Sequence, residues 1–181
     1  LKESLVIVDE AHNLPEALRA IHSTRLSLPV VKAALGQLGR YVEKYQDRLA
    51  GRSLVYLGQL RKTLLSFQKH LKKNVPKSCE KMLSVENFLV MLRLQNTNFF
   101  KLLRYLETSR LSQKLLGFMN QQEPSAQPDE DAGETGEKLS KHVSAMSLVE
   151  TFLQKLTSTE SEGKIVTEDA SRIRSASFRF V

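Results

Sequence analysis

The chain has 181 residues, 41% of them apolar and 26% charged, and a net charge of +7 at neutral pH. No run of 18 apolar residues occurs, which excludes a membrane-spanning helix, and the single cysteine, Cys79, excludes both an intrachain disulfide and a cysteine-ligated metal or iron–sulfur site completed by this chain alone. No secretory signal opens the chain and its first residue is Leu1, so the expectation is a piece of a longer protein, one domain or a domain with part of another.

Leu5, Val6, Ile7 and Val8 form a short β-branched-rich run that predicts a buried strand ending at Asp9 and Glu10. Asn13, Leu14 and Pro15 predict a helix start, since proline suits the first helical turn, with the helix running over Glu16 to about Ile21. Leu26, Leu28 and Val30 alternate, as in a strand or an extended entry.

From about Val31 to Phe118 the apolar period becomes helical. The sets are Leu35, Leu38, Val42 and Tyr45; then Leu54, Leu57, Leu60, Leu64, Phe67 and Leu71; then Val85, Phe88, Leu89 and Leu92; then Phe99, Leu102, Leu103 and Leu106. Each places an apolar stripe on one helix face, with Lys and Arg opposite. Breaks fall near Ala50-Gly51 and Asn74-Val75-Pro76, and Leu111, Leu115, Leu116 and Phe118 close a bundle of about four helices.

Residues 123–137, EPSAQPDEDAGETGE, hold six acidic residues, two prolines, two glycines and no basic residue, a composition that buries no core and predicts a flexible loop over 123–141. A last amphipathic helix follows, with Val143, Met146, Val149, Leu153 and Leu156 on one side. Lys164, Ile165 and Val166 predict a short strand, and SFRFV at the end predicts the start of another. The fold class expected is mostly α with a small α/β part.

Charge is uneven along this order. Residues 1–39 carry four basic and four acidic groups, residues 40–120 carry 16 and 5, and residues 121–181 carry 7 and 11. The positive charge belongs to the helical middle. A solvated helix surface accounts for such a pattern, and so does a polyanionic partner, most often nucleic acid.

The stretch LVIVDEAH carries the sharpest chemistry. A strand that ends in Asp-Glu has the geometry of a Walker B element in nucleotide hydrolases. Asp9 would hold Mg²⁺, most often through a water ligand, because Mg²⁺ keeps several waters and takes only one or two carboxylates besides phosphate. Glu10 would orient and deprotonate the water that attacks the γ-phosphate of ATP. His12 would link this site to other motor elements by hydrogen bonding. Asp9 and Glu10 are thus the Mg–ATP residues, and Asp9, Glu10 and His12 the catalytic set. His22, His70 and His142 have no metal-ligand spacing, and no GxxxxGK[ST] phosphate loop is present.

At Asp9-Glu10-Ala11-His12, continuing as Asn13-Leu14, the chain resembles superfamily-two DEAH helicases of the iron–sulfur branch that includes XPD and FANCJ. YVEKYQDRL (41–49), LVYLGQL (54–60) and NFFKLLRYLETSRLSQKLLGF (98–118) look like the ChlR-type member of that branch. The resemblance implies an ATP-dependent 5′-to-3′ DNA helicase of the nucleus, active in DNA repair and sister-chromatid cohesion, with a [4Fe–4S] cluster ligated outside this chain. The implied partners are single-stranded and forked DNA and replication or cohesion proteins, with no membrane.

The resemblance implies a piece of motor domain 1, RecA-like in fold, over residues 1–30. A helical Arch insertion would span 31–122, the acidic loop 123–141, and a return to the motor domain 142–181. The phosphate loop and cluster cysteines are expected before Leu1. Without the rest of the motor sheet, Leu5, Ile7 and the 143–156 helix are expected to expose apolar faces.

In such helicases the Arch borders a path for a single strand, and a Lys/Arg groove tracks phosphates without reading sequence. Lys101, Arg104 and Lys114 are the nucleic-acid candidates. Arg104-Tyr105 and Phe99-Phe100-Lys101 set rings beside cations, although Phe99 fits the apolar stripe and is expected in the core. Two other readings compete: a non-catalytic helical protein-interaction module, and a different XPD-like helicase.

Overall fold

The computed structural model describes residues 9, 11–17, 23–73, 81–122, 144–158, 163–168 and 176–180. The strand expected at Leu5–Val8, Glu10, the helix break at 74–76 and the acidic loop at 123–141 lie outside them. The first described elements are a 3₁₀ turn at Ala11–Asn13 and a helical stretch over 14–17, so the helix expected from Asn13-Leu14-Pro15 does start there.

Six further helices and four strands form the body. The helices are α1 (Leu28–Tyr45), α2 (Gly51–Lys73), α3 (Val85–Met91), α4 (Phe99–Ser109), α5 (Leu111–Gln122) and α6 (Ala145–Ser158). The strands are β1 (Thr24–Ser27), β2 (Lys81–Ser84), β3 (Lys164–Glu168) and β4 (Ser177–Phe180). Mostly α with a small sheet is what the composition and period anticipated.

The boundaries follow local chemistry. α1 starts at Leu28 because Pro29 pre-sets the backbone angle of a first turn and has no N–H to satisfy. Leu28 and Val30, read above as part of an extended stretch, are therefore helical, and the strand stops at Ser27. Ser84 caps α3 by accepting the Asn87 N–H at 3.3 Å, and Asn98 caps α4 by accepting the Lys101 N–H at 2.9 Å. One residue separates α4 from α5: Arg110, held in the left-handed region at φ 50°. That tight corner sets the two helices against each other.

The sheet is wholly antiparallel, in the order β1-β4-β3-β2. β1 pairs with β4 through Leu26↔Phe178, and β3 joins β4 through Ile165↔Phe180 and Thr167↔Phe178. β2, on the far edge, pairs Leu83 with Ile165. Strand side chains alternate between faces, so Leu26, Leu83, Ile165, Thr167, Phe178 and Phe180 share the face turned to the helices. Arg25, Met82 and Arg179 share the other, and Met82 is 63% exposed there.

Helices and sheet close on one core. Phe67 of α2, Phe88 of α3, Phe152 of α6 and Phe178 of β4 are all fully buried. Every pair among these four rings has its centroids between 4.9 and 6.4 Å apart, most of them edge-to-face. Edge-to-face contact sets the positive ring edge against the negative ring face, adding attraction beyond area burial. The 143–156 helix was expected to lie apolar side outward. Instead Met146, Val149, Phe152 and Leu153 of α6 are fully buried. The reason is its partners: α6 packs on α1, α4 and β1, and needs no motor sheet to cover it. The same core cluster runs from Leu26 to Phe180, so packing is continuous across residue 142.

Candidate functional site

The candidate catalytic residues sit at the start of the described chain. Asp9 is exposed at a turn, and His12 is exposed on the 3₁₀ turn after it. Asn13 Nδ2 lies 3.1 Å from His12 Nε2. Every described side chain from 11 to 17 is exposed. Among the described residues, no group of three or more His, Cys, Asp or Glu side chains gathers at a metal position.

The nucleic-acid candidates are on α4 and α5. Lys101, Arg104 and Lys114 are all exposed. Phe99, Leu102, Leu103 and Leu106 turn into the core, as the period required, and Phe99 is 6% exposed. At about 100° per residue, Lys101 and Arg104 then fall on the crest of α4 opposite that buried stripe. Phe100 flanks the crest on one side with its ring 70% exposed. Tyr105 flanks it on the other, half-buried.

Tyr105 belongs to an aromatic cluster that the sequence reading did not assemble. It stacks on Tyr56 of α2, centroids 4.7 Å apart and planes 15° from parallel. Arg52, one helical turn before Tyr56, lies over that ring at 5.9 Å. On α1, Tyr41 and Tyr45 are 5.0 Å apart, and both meet Phe118 of α5 near 6 Å. Lys44 sits over Phe118 at 5.2 Å and over Tyr45 at 5.8 Å. The Tyr41 hydroxyl is held above its ordinary pKa of 10.0 by burial, then by the nearby Tyr105 and Tyr45 phenols.

The four tyrosines thus form two ring pairs, Tyr41–Tyr45 on α1 beside Phe118 of α5, and Tyr56–Tyr105 between α2 and α4. Two cations, Lys44 and Arg52, lie over these rings, and the sequence repeats one of the spacings. Arg52–Tyr56, Lys101–Tyr105 and Lys114–Phe118 are each spaced i, i+4, which puts both members on one helix face. That repeated cation–aromatic spacing was the signal available in the sequence. A second basic surface lies on α2, where Arg61, Lys62 and Lys69 border a shallow, open groove with Gly58, Leu65 and Ser66. No helix among the described residues is long and apolar enough to cross a membrane.

An exposed acidic turn ahead of a cation-lined helical body defines a class that comparison with known proteins identifies. No protein-family model and no solved structure matches the chain. Curated proteins do. The chain is homologous to a segment of ATP-dependent DNA helicases. Those relatives are of the DDX11 and CHL1 kind, as the ChlR-type resemblance implied. DDX11 of Danio rerio is 28% identical over 218 residues, covering 100% of this chain and 24% of the relative. CHL1 of Coccidioides immitis is 33% identical over 170 residues, covering 93% of this chain and 19% of the relative. DDX11 of Homo sapiens is 35% identical over 127 residues, covering 65% of this chain and 13% of the relative. The chain spans about a quarter or less of the length of these relatives.

Proposed function

We propose that this chain is the segment of a ChlR-type, ATP-dependent DNA helicase that runs from the acidic end of the nucleotide site into the helical insertion guiding the unpaired strand. The observation that carries the reading is similarity to ATP-dependent DNA helicases along the whole chain, the DEAH stretch included. Residues 1–30 then belong to motor domain 1, residues 31–122 form the helical Arch insertion, residues 123–141 the acidic loop, and residues 142–181 the return to motor domain 1.

In this mechanism Asp9 would hold the Mg²⁺ of bound ATP. An exposed carboxylate at a turn fits that task, since Mg²⁺ needs only one or two protein carboxylates besides water and phosphate. Bound Mg–ATP supplies the phosphoryl group whose transfer to water drives movement. Glu10 orients the attacking water and accepts its proton. His12 would link this site to other motor elements by hydrogen bonding. A [4Fe–4S] cluster, implied by the resemblance, finds no ligand set in a chain with one cysteine and would be held elsewhere in the protein. The helical body, 16 basic against 5 acidic residues over 40–120, tracks the strand's phosphates. The setting is nuclear, with forked DNA as substrate and replication or cohesion proteins as partners.

The test is Glu10→Gln in the complete protein. ATP binding should persist while hydrolysis falls roughly 10²–10⁴-fold, the cost of losing a positioned base. Hydrolysis near the unsubstituted level would remove Glu10 from this role.

A further inference from the structure

The crest of α4 has a feature that phosphate tracking does not use: an aromatic ring standing free in solvent between the core stripe and two cations. Phe100 is 70% exposed, the most exposed of the large apolar side chains among the described residues. Phe99, beside it in sequence, already serves the core at 6% exposure, so packing gives no reason for a second phenylalanine here. Leaving a phenyl ring in water forgoes about the whole benefit of burying it. Lys101 is adjacent in sequence and Arg104 one turn on, both exposed on the same side of the helix. The acid that also faces this flank, Glu107, accepts a hydrogen bond from Gln154 of α6 at 3.4 Å.

We propose that Phe100, Lys101 and Arg104 form a base-stacking subsite for single-stranded DNA. The Phe100 ring takes the face of one base, Lys101 and Arg104 take the phosphates on either side of it, and the stacked Tyr56–Tyr105 pair holds α4 in place behind them. Every base has a π face, so the subsite is indifferent to sequence, as a translocating motor requires. Two cations about a helical turn apart beside an exposed ring match the alternation of phosphates and bases along a single strand, whereas an acidic peptide would leave the ring unused. The inference rests on the strand-guiding role proposed above and adds the group that holds a base rather than the backbone.

Fluorescence anisotropy of the 181-residue chain with a labelled oligothymidylate, and with an abasic oligonucleotide of the same length, tests this. Circular dichroism confirms that each variant is helical. Phe100→Ala should weaken thymidylate binding roughly 5- to 100-fold and leave abasic binding within about twofold, because only stacking is lost. Phe100→Tyr should restore it. Lys101→Ala and Arg104→Ala should weaken both oligonucleotides alike and each reduce the salt slope by about 0.7, the value for one phosphate of a single strand. If Phe100→Ala binds thymidylate as the unsubstituted chain does, or loses both ligands equally, the subsite is wrong and the basic body stands. If the folded chain binds neither oligonucleotide at low salt, the strand-guiding role fails and takes the subsite with it.

Discussion

The candidate residues for nucleotide chemistry and the residues that carry the fold occupy different kinds of ground. From 11 to 17 every described side chain is exposed, while four phenylalanines drawn from α2, α3, α6 and β4 are fully buried within a few ångströms of one another. Asp9 and His12 owe nothing visible to that core. The body presents cations and rings to solvent. The contrast teaches that an exposed turn and a self-packed platform lie side by side in this segment, and that changes to one need not disturb the other.

The division can be broken most forcefully from the motor end. Asp9→Asn in the complete protein should lower ATP hydrolysis by a factor on the order of 10²–10⁴, comparable to losing the neighbouring base. It should leave the melting temperature of the 181-residue chain where it was, because Asp9 is exposed. A large drop in melting temperature would show that the two regions are not separate. The reverse experiment is Phe67→Ala. Phe67 touches all three of the other core rings and is fully buried. Its truncation should cost about 3–5 kcal/mol by denaturant unfolding, from lost transfer energy and the cavity left behind.

Smaller effects sharpen the picture within the body. Asn98→Ala removes the oxygen that accepts the Lys101 N–H and should cost about 1 kcal/mol, read by urea titration. That cap also fixes the start of α4, so the same variant should weaken strand binding slightly without touching a cation. The smallest effect is a pH dependence. His70 stacks on Phe178 with centroids 5.8 Å apart, and burial lowers its pKa below the ordinary 6.5. The unfolded chain therefore takes up a proton near pH 6.5 that the folded chain resists. This contribution to stability is complete above pH 6.5 and declines as pH falls through that value toward the lower folded pKa. Melting temperatures at pH 7.5 and 5.5 should converge in His70→Gln relative to the unsubstituted chain.

Helices were legible because burial repeats along them: Leu57, Leu60, Leu64, Phe67 and Leu71 form one buried stripe of α2 at spacings of three and four. The strands at 164–168 and 177–180 were legible in kind from their β-branched and aromatic residues, but not in partner, since pairing Leu26 with Phe178 joins opposite ends of the chain. β2 escaped altogether. Its four residues, KMLS, offer one exposed and one half-buried apolar side chain, too few to show a period, and it gains its strand character from β3 some eighty residues away. The burial of α6 was missed for the same reason: an amphipathic pattern announces that a face must be covered, not by what. At the candidate site the acidic pair was read from adjacency. The Tyr56–Tyr105 pair was not, because its members lie on two helices and meet only when α2 and α4 pack.

The claim that the helical body handles a nucleic-acid strand is tested most directly by the salt dependence of its affinity for single-stranded DNA. The account predicts binding at low salt that falls steeply and linearly on a log–log plot as salt rises, by about 0.7 in slope for each phosphate neutralised. A correctly folded chain that fails to bind, or binds with no dependence on salt, would contradict it.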